Sequence, residues 1–235
     1  MAVTYRQVLN RVLVALGEEE ISSGTSEITS KYHKLLGLFV NQIKEIVEDE
    51  HNWRALRSDE QVTVTSGTSS AVITNANERS RIVRVYDDIA GEERALVFDV
   101  TDSNSPYRLR EMDMAELLRR RKLDTSNGND PAYFAIDNTG EDAMSIQVWP
   151  TPTDNRTIDI VMVIPQGELG TTDLNTNIKV PARPISVGAA WYAYEERGEE
   201  LGSRPVFNQE MFNQVLGSSV ARDAAEQGDY QLVPG

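Results

Sequence analysis

The sequence predicts an α+β protein: a helical bundle made from both chain ends, with an antiparallel β domain of the sandwich or barrel kind inserted between them. Near both ends the apolar residues recur at intervals of three and four, which is typical of amphipathic helices. In the middle they alternate with polar residues, which indicates half-buried strands. Forty per cent of the 235 residues are hydrophobic, which suffices for one large core or two smaller ones.

The first helix is indicated by an apolar stripe that begins at Tyr5 and ends at Leu16. Thr4 and Gln7 have the spacing of a capping box, and Gly17 is a residue typical of a helix end. The second helix is predicted from about Glu27 to Asn52. At 1.5 Å per residue it would be about 39 Å long, which suits a strut in a bundle.

The central region carries seven short apolar stretches separated by turn residues, and this pattern is typical of a sandwich or barrel. A short helix is predicted from about Asp113 to Lys122. The predicted strands are 62–65, 71–74, 81–87, 94–100, 133–137, 145–149 and 157–164.

The C-terminal region begins with a polar segment that is too long for a simple connection. Two helices follow, from about Pro184 to Arg197 and from about Pro205 to Glu226. The first contains small residues, including Gly188, so another helix can approach it closely. We therefore divide the chain into N-terminal helices (1–57), an inserted β domain with one short helix (58–164), a long loop (165–182), C-terminal helices (183–226) and a flexible tail or partner-ordered arm (227–235).

Composition excludes several kinds of function. The chain has 37 acidic and 23 basic residues, and its net charge of −14 argues against tight wrapping of a phosphate backbone. It has no cysteine, which excludes disulfides, thiolate metal sites and cysteine nucleophiles. No apolar run is long enough for a bilayer span, and the N-terminus lacks the features of a signal peptide.

Motifs that would indicate a cofactor or an enzyme are also missing, so we expect no cofactor, metal or catalytic site. The sequence has no glycine-rich phosphate loop, no G-x-S-x-G and no H-E-x-x-H. Its two histidines, His33 and His51, lie 18 residues apart on or near one predicted helix, too far apart to share a metal ion there. Two of the many carboxylates could form a glycosidase pair, but any acidic protein offers as many.

One basic cluster ends the predicted short helix: Arg119, Arg120, Arg121 and Lys122. Three interpretations are open. The cluster is a solvated helix end that the helix dipole favours, a contact to acidic groups on a neighbouring copy, or a nucleic-acid contact. The tryptophans Trp53 and Trp149 are interpreted as packing residues at domain junctions, and Trp191 as a core or subunit-interface residue.

The order of several short motifs along the chain resembles that of the head-to-tail adaptor proteins of tailed bacteriophages. The resemblance covers about Tyr5 to Glu226, and it includes neither the cluster Arg119–Lys122 nor the tail after Gln227. The motifs, in order, are Leu16–Glu19, Ile21–Ser23, Asn52–Arg57, Asp130–Ala135, Val148–Pro152, the apolar strand Ile158–Pro165 and Tyr194–Glu199.

This resemblance implies a structural virion protein and not an enzyme. Such adaptors form a ring, usually of twelve copies, beneath the portal protein. The ring continues the DNA channel and is the docking platform for tail tube, nozzle or stopper proteins. The implied location is the neck of the virion, after assembly in the host cytoplasm, with DNA passing through the lumen during ejection without specific binding.

We add three expectations about surfaces. The last helix and the tail contact the portal through Pro205, Phe207, Tyr230, Leu232 and Val233. The four basic residues 119–122 lie between subunits and pair with carboxylates of a neighbour. Loops of the β domain and the segment Thr171–Lys179 face neighbours or tail proteins.

Three other functions stay open at this stage. The protein could be a different tail component, such as a tail terminator or a receptor-binding module. It could be an acid-pair carbohydrate enzyme, or a nucleic-acid-binding module. The acidic charge argues against the last of these, and the low aromatic content (7%) argues against a receptor-binding surface.

Overall fold

The computed structural model describes residues 3–87, 91–123, 130–140, 143–198 and 204–226, and in these ranges the chain is a mixed α+β protein, as predicted. The helices are α1 (Tyr5–Ala15), α2 (Lys31–Glu50), α3 (Met114–Leu123), α4 (Ala182–Glu196) and α5 (Arg204–Glu226). The strands are β1 (Val3–Thr4), β2 (Arg57–Val64), β3 (Ser70–Ile73), β4 (Arg81–Ile82), β5 (Arg84–Asp87), β6 (Glu92–Ala95), β7 (Val97–Asp99), β8 (Tyr107–Arg108), β9 (Arg110–Glu111), β10 (Tyr133–Gly140), β11 (Ala143–Trp149), β12 (Arg156–Val163) and β13 (Asn177–Ile178).

The chain folds into two compact units. Met1–Leu56 and Gln166–Gly235 form the helical unit, and Arg57–Pro165 form the β unit. In the helical unit, α4 packs against α1, α2 and α5, and α1 also packs against α2. None of the helices in the described ranges combines the length and the apolar character that a membrane crossing requires.

Helix α1 begins and ends as predicted. The Thr4 hydroxyl accepts from the Gln7 backbone N–H, and the Gln7 side chain accepts from the Thr4 backbone N–H, which completes the capping box. Gly17 follows the helix with φ of +72°, a conformation that glycine adopts without strain. The side chains that α1 buries are Tyr5, Val8, Leu9, Val12 and Leu13.

Helix α2 is shorter than predicted. It begins at Lys31, behind the N-cap residue Ser30, whereas the sequence predicted a start at Glu27. The reason is that Ile28 is buried and its backbone N–H donates to the carbonyl of Thr171, so this stretch is held in a non-helical conformation by the rest of the unit. The 20 residues of α2 span about 30 Å, and the predicted 39 Å was wrong.

The small residues of α4 permit the close helix approach that was predicted. A Cβ atom added to Gly188 would lie 2.7 Å from Cγ2 of Ile43 on α2 and 3.0 Å from Cδ2 of Phe212 on α5. Gly188 is therefore the point where three helices meet with no room for a larger side chain.

The segment that joins the two units in sequence, 166–181, is not a solvent-exposed polar loop. Its apolar side chains Leu169, Leu174, Ile178 and Val180 are buried, and β13 pairs with β1 in an antiparallel two-stranded sheet. Within the segment Thr171–Lys179, which was expected to face other proteins, Leu174 and Ile178 are buried and the other residues are exposed or half-buried.

The β unit contains two sheets and a separate hairpin. One sheet has the order β3-β11-β10-β9 and the other β2-β12-β7-β8, with β4 also paired to β12. Their pairing is antiparallel except between β10 and β9, which run parallel, so the purely antiparallel expectation was wrong at this edge. Both sheets contribute to one hydrophobic core, which includes Val64, Phe134, Ile146, Val148, Ile158 and Ile160.

Two predicted strands, 81–87 and 94–100, are each interrupted. Val83 separates β4 from β5, and Leu96 separates β6 from β7. The backbone explains both breaks: Val83 donates to the carbonyl of Val161, and Leu96 donates to the carbonyl of Val83. Between these two residues the chain leaves the five-stranded sheet and forms the β5–β6 hairpin, and after Leu96 it re-enters the sheet as β7.

Candidate interaction surfaces

Helix α3 carries the basic cluster and packs on β10 and β11 of the β unit. Asp113 caps it, since the Asp113 carboxylate accepts from the backbone N–H of Ala115 at 2.8 Å. Leu117 is fully buried beneath the helix. Arg121 follows Leu117 by four residues and thus lies on the same side of the helix.

Arg121 is an internal anchor of α3. Its guanidinium donates to the carbonyls of Ser69 (2.9 Å) and Val148 (2.8 Å) and to the side-chain oxygen of Gln147 (2.9 Å). Burial lowers the pKa of Arg121 below its usual value, because removing water disfavours the charged form. These three bonds hold the last turn of α3 against the ends of β3 and β11.

Arg120 is also engaged within its own chain. Its guanidinium carbon lies 5.2 Å from the ring centre of Tyr133 and 5.3 Å from that of Trp149, which are cation–π distances. Its Nε donates to Glu116 at 3.0 Å. Trp149 packs beside Tyr133, with ring centres 5.7 Å apart, which agrees with a packing role, but this contact lies inside the β unit and not at the predicted domain junction.

The remaining two residues of the cluster, Arg119 and Lys122, lie at the surface. Arg119 and Arg120 both donate to Glu116, and these hydrogen bonds lower the pKa of Glu116 to about 2. Lys122 forms no ion pair with any residue that the structure describes. The sequence analysis interpreted the four basic residues alike, and only the four-residue interval from Leu117 to Arg121 could have identified Arg121 as the one held against the sheet.

The predicted portal-contacting residues lie at or beyond the two ends of α5. Pro205 and Phe207 are in its first turn, while Tyr230, Leu232 and Val233 lie outside the described residues. The other end of α5 is fixed in the helical unit. The Asp223 carboxylate lies 3.0 Å from Nε2 of His51 and accepts from the Arg54 backbone N–H at 3.3 Å, and Arg54 forms an ion pair with Glu226 at 2.9 Å.

A polar stripe on α2 was missed at the sequence level. Asn41, Lys44 and Glu48 are buried, and they bind backbone groups of 166–169. Asn41 donates to the Leu169 carbonyl and accepts from the Leu169 backbone N–H, both at 3.0 Å. The intervals of three and four between these residues place them on one helix face. Their polarity alone would predict that this face is exposed to solvent.

A shallow cleft of about 500 Å³ lies in the helical unit. It is lined by Val3, Trp53, Ala55, the residues from Asn177 to Ala182, and Asp223. Trp53 is buried and donates its indole N–H to the Val47 carbonyl at 2.6 Å, which confirms its packing role. The cleft holds one carboxylate, Asp223, already paired with His51, and the described residues contain no group of three or more potential metal ligands.

The features described above are interaction surfaces and side chains that anchor helices. Comparison with known proteins identifies the family of the chain. The model of the family described as SU10 adaptor protein matches residues 3–233, which include nearly the whole chain. A search of curated proteins gives no match. The family match confirms the resemblance to phage head-to-tail adaptors, and this family is a structural class rather than an enzyme class. The chain thus belongs to the SU10 adaptor protein family.

Proposed function

We propose that the protein is the head-to-tail adaptor of a tailed bacteriophage. In this proposal twelve copies form a ring beneath the portal, in the neck of the virion. The ring continues the DNA channel and provides the platform on which tail tube, nozzle or stopper proteins dock. The observation that carries the proposal is the family match over residues 3–233, since it includes the helices from both chain ends and the whole inserted β unit.

The helical unit is suited to be the wall of such a ring. We propose that α1, α2, α4 and α5 act as one bundle, with α2 as its main strut. Two contacts support this role. The tight packing at Gly188 resists movement of α4 against α2 and α5. The buried hydrogen bonds from Lys44 to the carbonyls of Gln166 and Gly167 hold α2 to the segment 166–181.

The acidic character of the chain is suited to a DNA channel. Strong binding to DNA requires that lysines and arginines neutralise phosphates. The net charge of −14 opposes strong binding to DNA, and Arg120 and Arg121 of the basic cluster are already engaged inside the β unit. We therefore propose that DNA passes through the lumen without specific binding.

We propose further that α5 and the segment 227–235 attach the adaptor to the portal. The bonds from Asp223 to His51 and from Glu226 to Arg54 fix the point from which that segment continues. A segment that begins at a fixed position loses less conformational entropy when it binds a partner, and this favours binding to the portal.

The test is the mass of the purified protein alone, of its portal alone, and of their mixture, measured by sedimentation and checked by negative-stain imaging. A complex with one adaptor ring on each portal supports the proposal. An adaptor that stays a separate monomer beside the portal overturns it.

A second experiment tests the portal contact alone. Deletion of 227–235 is expected to reduce capture of the protein by immobilised portal, while the urea unfolding curve stays that of the full chain. A variant with three added C-terminal glycines is the matched control and should be captured normally. Unchanged capture of the deletion variant contradicts the assignment of this segment.

A further inference from the structure

The β5–β6 hairpin is separate from the two sheets of the β unit. Its strands pair with each other and with no further strand in the part of the chain that the structure describes. A two-stranded hairpin alone is only marginally stable in water. One end is held because Ala95 is buried and Arg84 forms an ion pair with Glu111 at 2.6 Å, and at the other end Asp87 forms a longer ion pair with Arg108 of β8, at 3.5 Å.

One face of this hairpin exposes an aromatic ring beside a carboxylate. Tyr86 lies opposite Glu93 in the register, so the two side chains share one face. Tyr86 is 49% exposed and Glu93 is exposed as well. Glu93 attracts Arg84 on the same face, but the guanidinium of Arg84 is bound to Glu111, and Glu93 forms no ion pair with a described residue. On the opposite face Arg94 pairs with Asp87 and Glu92, so those acids are already neutralised.

The outer face of α3 has the complementary character. Leu118 and Leu123 are 46% and 74% exposed. Arg119 and Lys122 flank them, and the intervals of three and four place all of these side chains on one side of the helix. This face therefore offers apolar surface beside positive charge, where the hairpin offers apolar surface beside negative charge.

Resting on the proposed function, we propose that the Tyr86–Glu93 face of one copy packs on the Leu118–Leu123 face of α3 in the next copy. Tyr86 would cover the leucines, and Glu93 would pair with Lys122. The two patches are different parts of the same surface, so the contact is heterologous, and such a contact closes into a ring when the rotation between copies allows it. The occupant of each patch is thus a second copy of this chain.

Cysteine cross-linking tests this contact directly, because the natural sequence contains no cysteine and every thiol is an introduced one. The variants Tyr86→Cys and Leu118→Cys are mixed, assembled on the portal and treated with a short bifunctional maleimide. A covalent dimer is expected from the mixture and not from either variant alone. As a control, Val72→Cys, at an exposed position on β3, replaces Tyr86→Cys in the mixture and should give no dimer.

The possible results show whether the proposed contact is wrong or the proposed function is wrong. A portal-bound ring that is visible in negative stain but gives no cross-linked dimer overturns the contact and leaves the adaptor function standing. The parent protein is assembled on the portal in parallel, and if it forms no ring there, the proposed function is overturned and the contact with it.

Charge exchange provides a second test that does not depend on cross-linking. Glu93→Lys and Lys122→Glu are each expected to raise the protein concentration for half-maximal ring assembly about tenfold, and more strongly at low salt. The double variant Glu93→Lys/Lys122→Glu should restore most of the assembly. A double variant that assembles no better than the single ones contradicts the pairing.

Discussion

Lys44 and Glu48, one turn apart on α2, form an ion pair with 3.4 Å between Nζ and Oε1, and both side chains are completely excluded from solvent. The pair does more than join two positions of one helix. Lys44 donates to the carbonyls of Gln166 (2.6 Å) and Gly167 (3.1 Å), and Glu48 accepts from the Gln166 backbone N–H (3.2 Å). The ion pair thus fixes the chain where it returns to the helical unit after β12.

Replacing Lys44 by methionine is expected to destabilise the helical unit strongly. Methionine fills similar space but leaves the Glu48 carboxylate buried without its cation and two carbonyls without a donor. Removing one partner of a buried pair typically costs about 3–5 kcal/mol. Urea unfolding of Lys44→Met should therefore show a correspondingly lower free energy of unfolding.

Lys34→Met is the matched control, because Lys34 is an exposed residue on the same helix. Its free energy of unfolding should stay within about 0.5 kcal/mol of the parent value. If Lys44→Met were as mild as this control, the buried pair would not have the stabilising role assigned to it.

Gly188 and Gly217 offer a paired test of helix packing. Gly188→Ala should lower the free energy of unfolding by about 1–3 kcal/mol, because the new methyl group would overlap Ile43. Gly217 lies on α5 with no atom within 4 Å of an added Cβ, so Gly217→Ala should stabilise the helix by about 0.5–1 kcal/mol. Thermal unfolding measures both; shifts of the same sign would contradict the packing described for α4.

The features predicted correctly from the sequence are those whose cause lies in residues close together in the sequence, or in a single residue type. The capping box of α1 needs only Thr4 and Gln7, and the apolar stripe of α1 needs only the helical interval. Gly188 predicted a close helix approach because the missing side chain leaves space into which another helix can pack. For α1 the sequence interval contains the physical cause, and for Gly188 the cause is the absence of a side chain at that position.

The errors arise where a distant segment decides the local structure. The sequence around Ile28 predicted helix, but the hydrogen bond from its backbone N–H to the carbonyl of Thr171 keeps this stretch non-helical, and α2 begins only at Lys31. Lys44 and Glu48 look like solvent-facing residues until the carbonyls of 166 and 167 are brought to them. A single sequence does not reveal these partners, which lie more than a hundred positions away.

Arg121 and Arg119 are expected to differ although they stand two residues apart. Arg121→Ala removes three hydrogen bonds from a partly buried charged group and should lower the free energy of unfolding of the β unit by about 2–3 kcal/mol. Arg121→Lys should recover only part of this, since lysine lacks the planar donors that reach several acceptors. Urea unfolding provides the measurement.

Arg119→Ala is the control for Arg121→Ala. Arg119 is exposed, and among the described residues it binds Glu116 on its own helix, so its removal should leave the unfolding curve unchanged. Equal losses from Arg121→Ala and Arg119→Ala would show that Arg121 is not the anchor of α3.

Tyr5 is expected to make the helical unit sensitive to high pH. Burial, assisted by the nearby carboxylates of Asp173 and Glu168, raises the pKa of Tyr5 to about 12. In the unfolded chain a tyrosine loses its proton near pH 10. Between these values the unfolded state binds fewer protons than the folded state, so stability must fall as the pH rises.

The size of this effect is fixed by the separation of the two pKa values, and it amounts to about 1.4 kcal/mol at pH 11 relative to pH 8. Tyr5→Phe has no phenol to ionise and should not show this loss. The measurement is the difference in free energy of unfolding between the parent and Tyr5→Phe at both pH values. That difference should shift by about 1.4 kcal/mol in favour of Tyr5→Phe at pH 11. A difference that is equal at pH 8 and pH 11 would mean that Tyr5 ionises in the folded protein as it does in the unfolded chain.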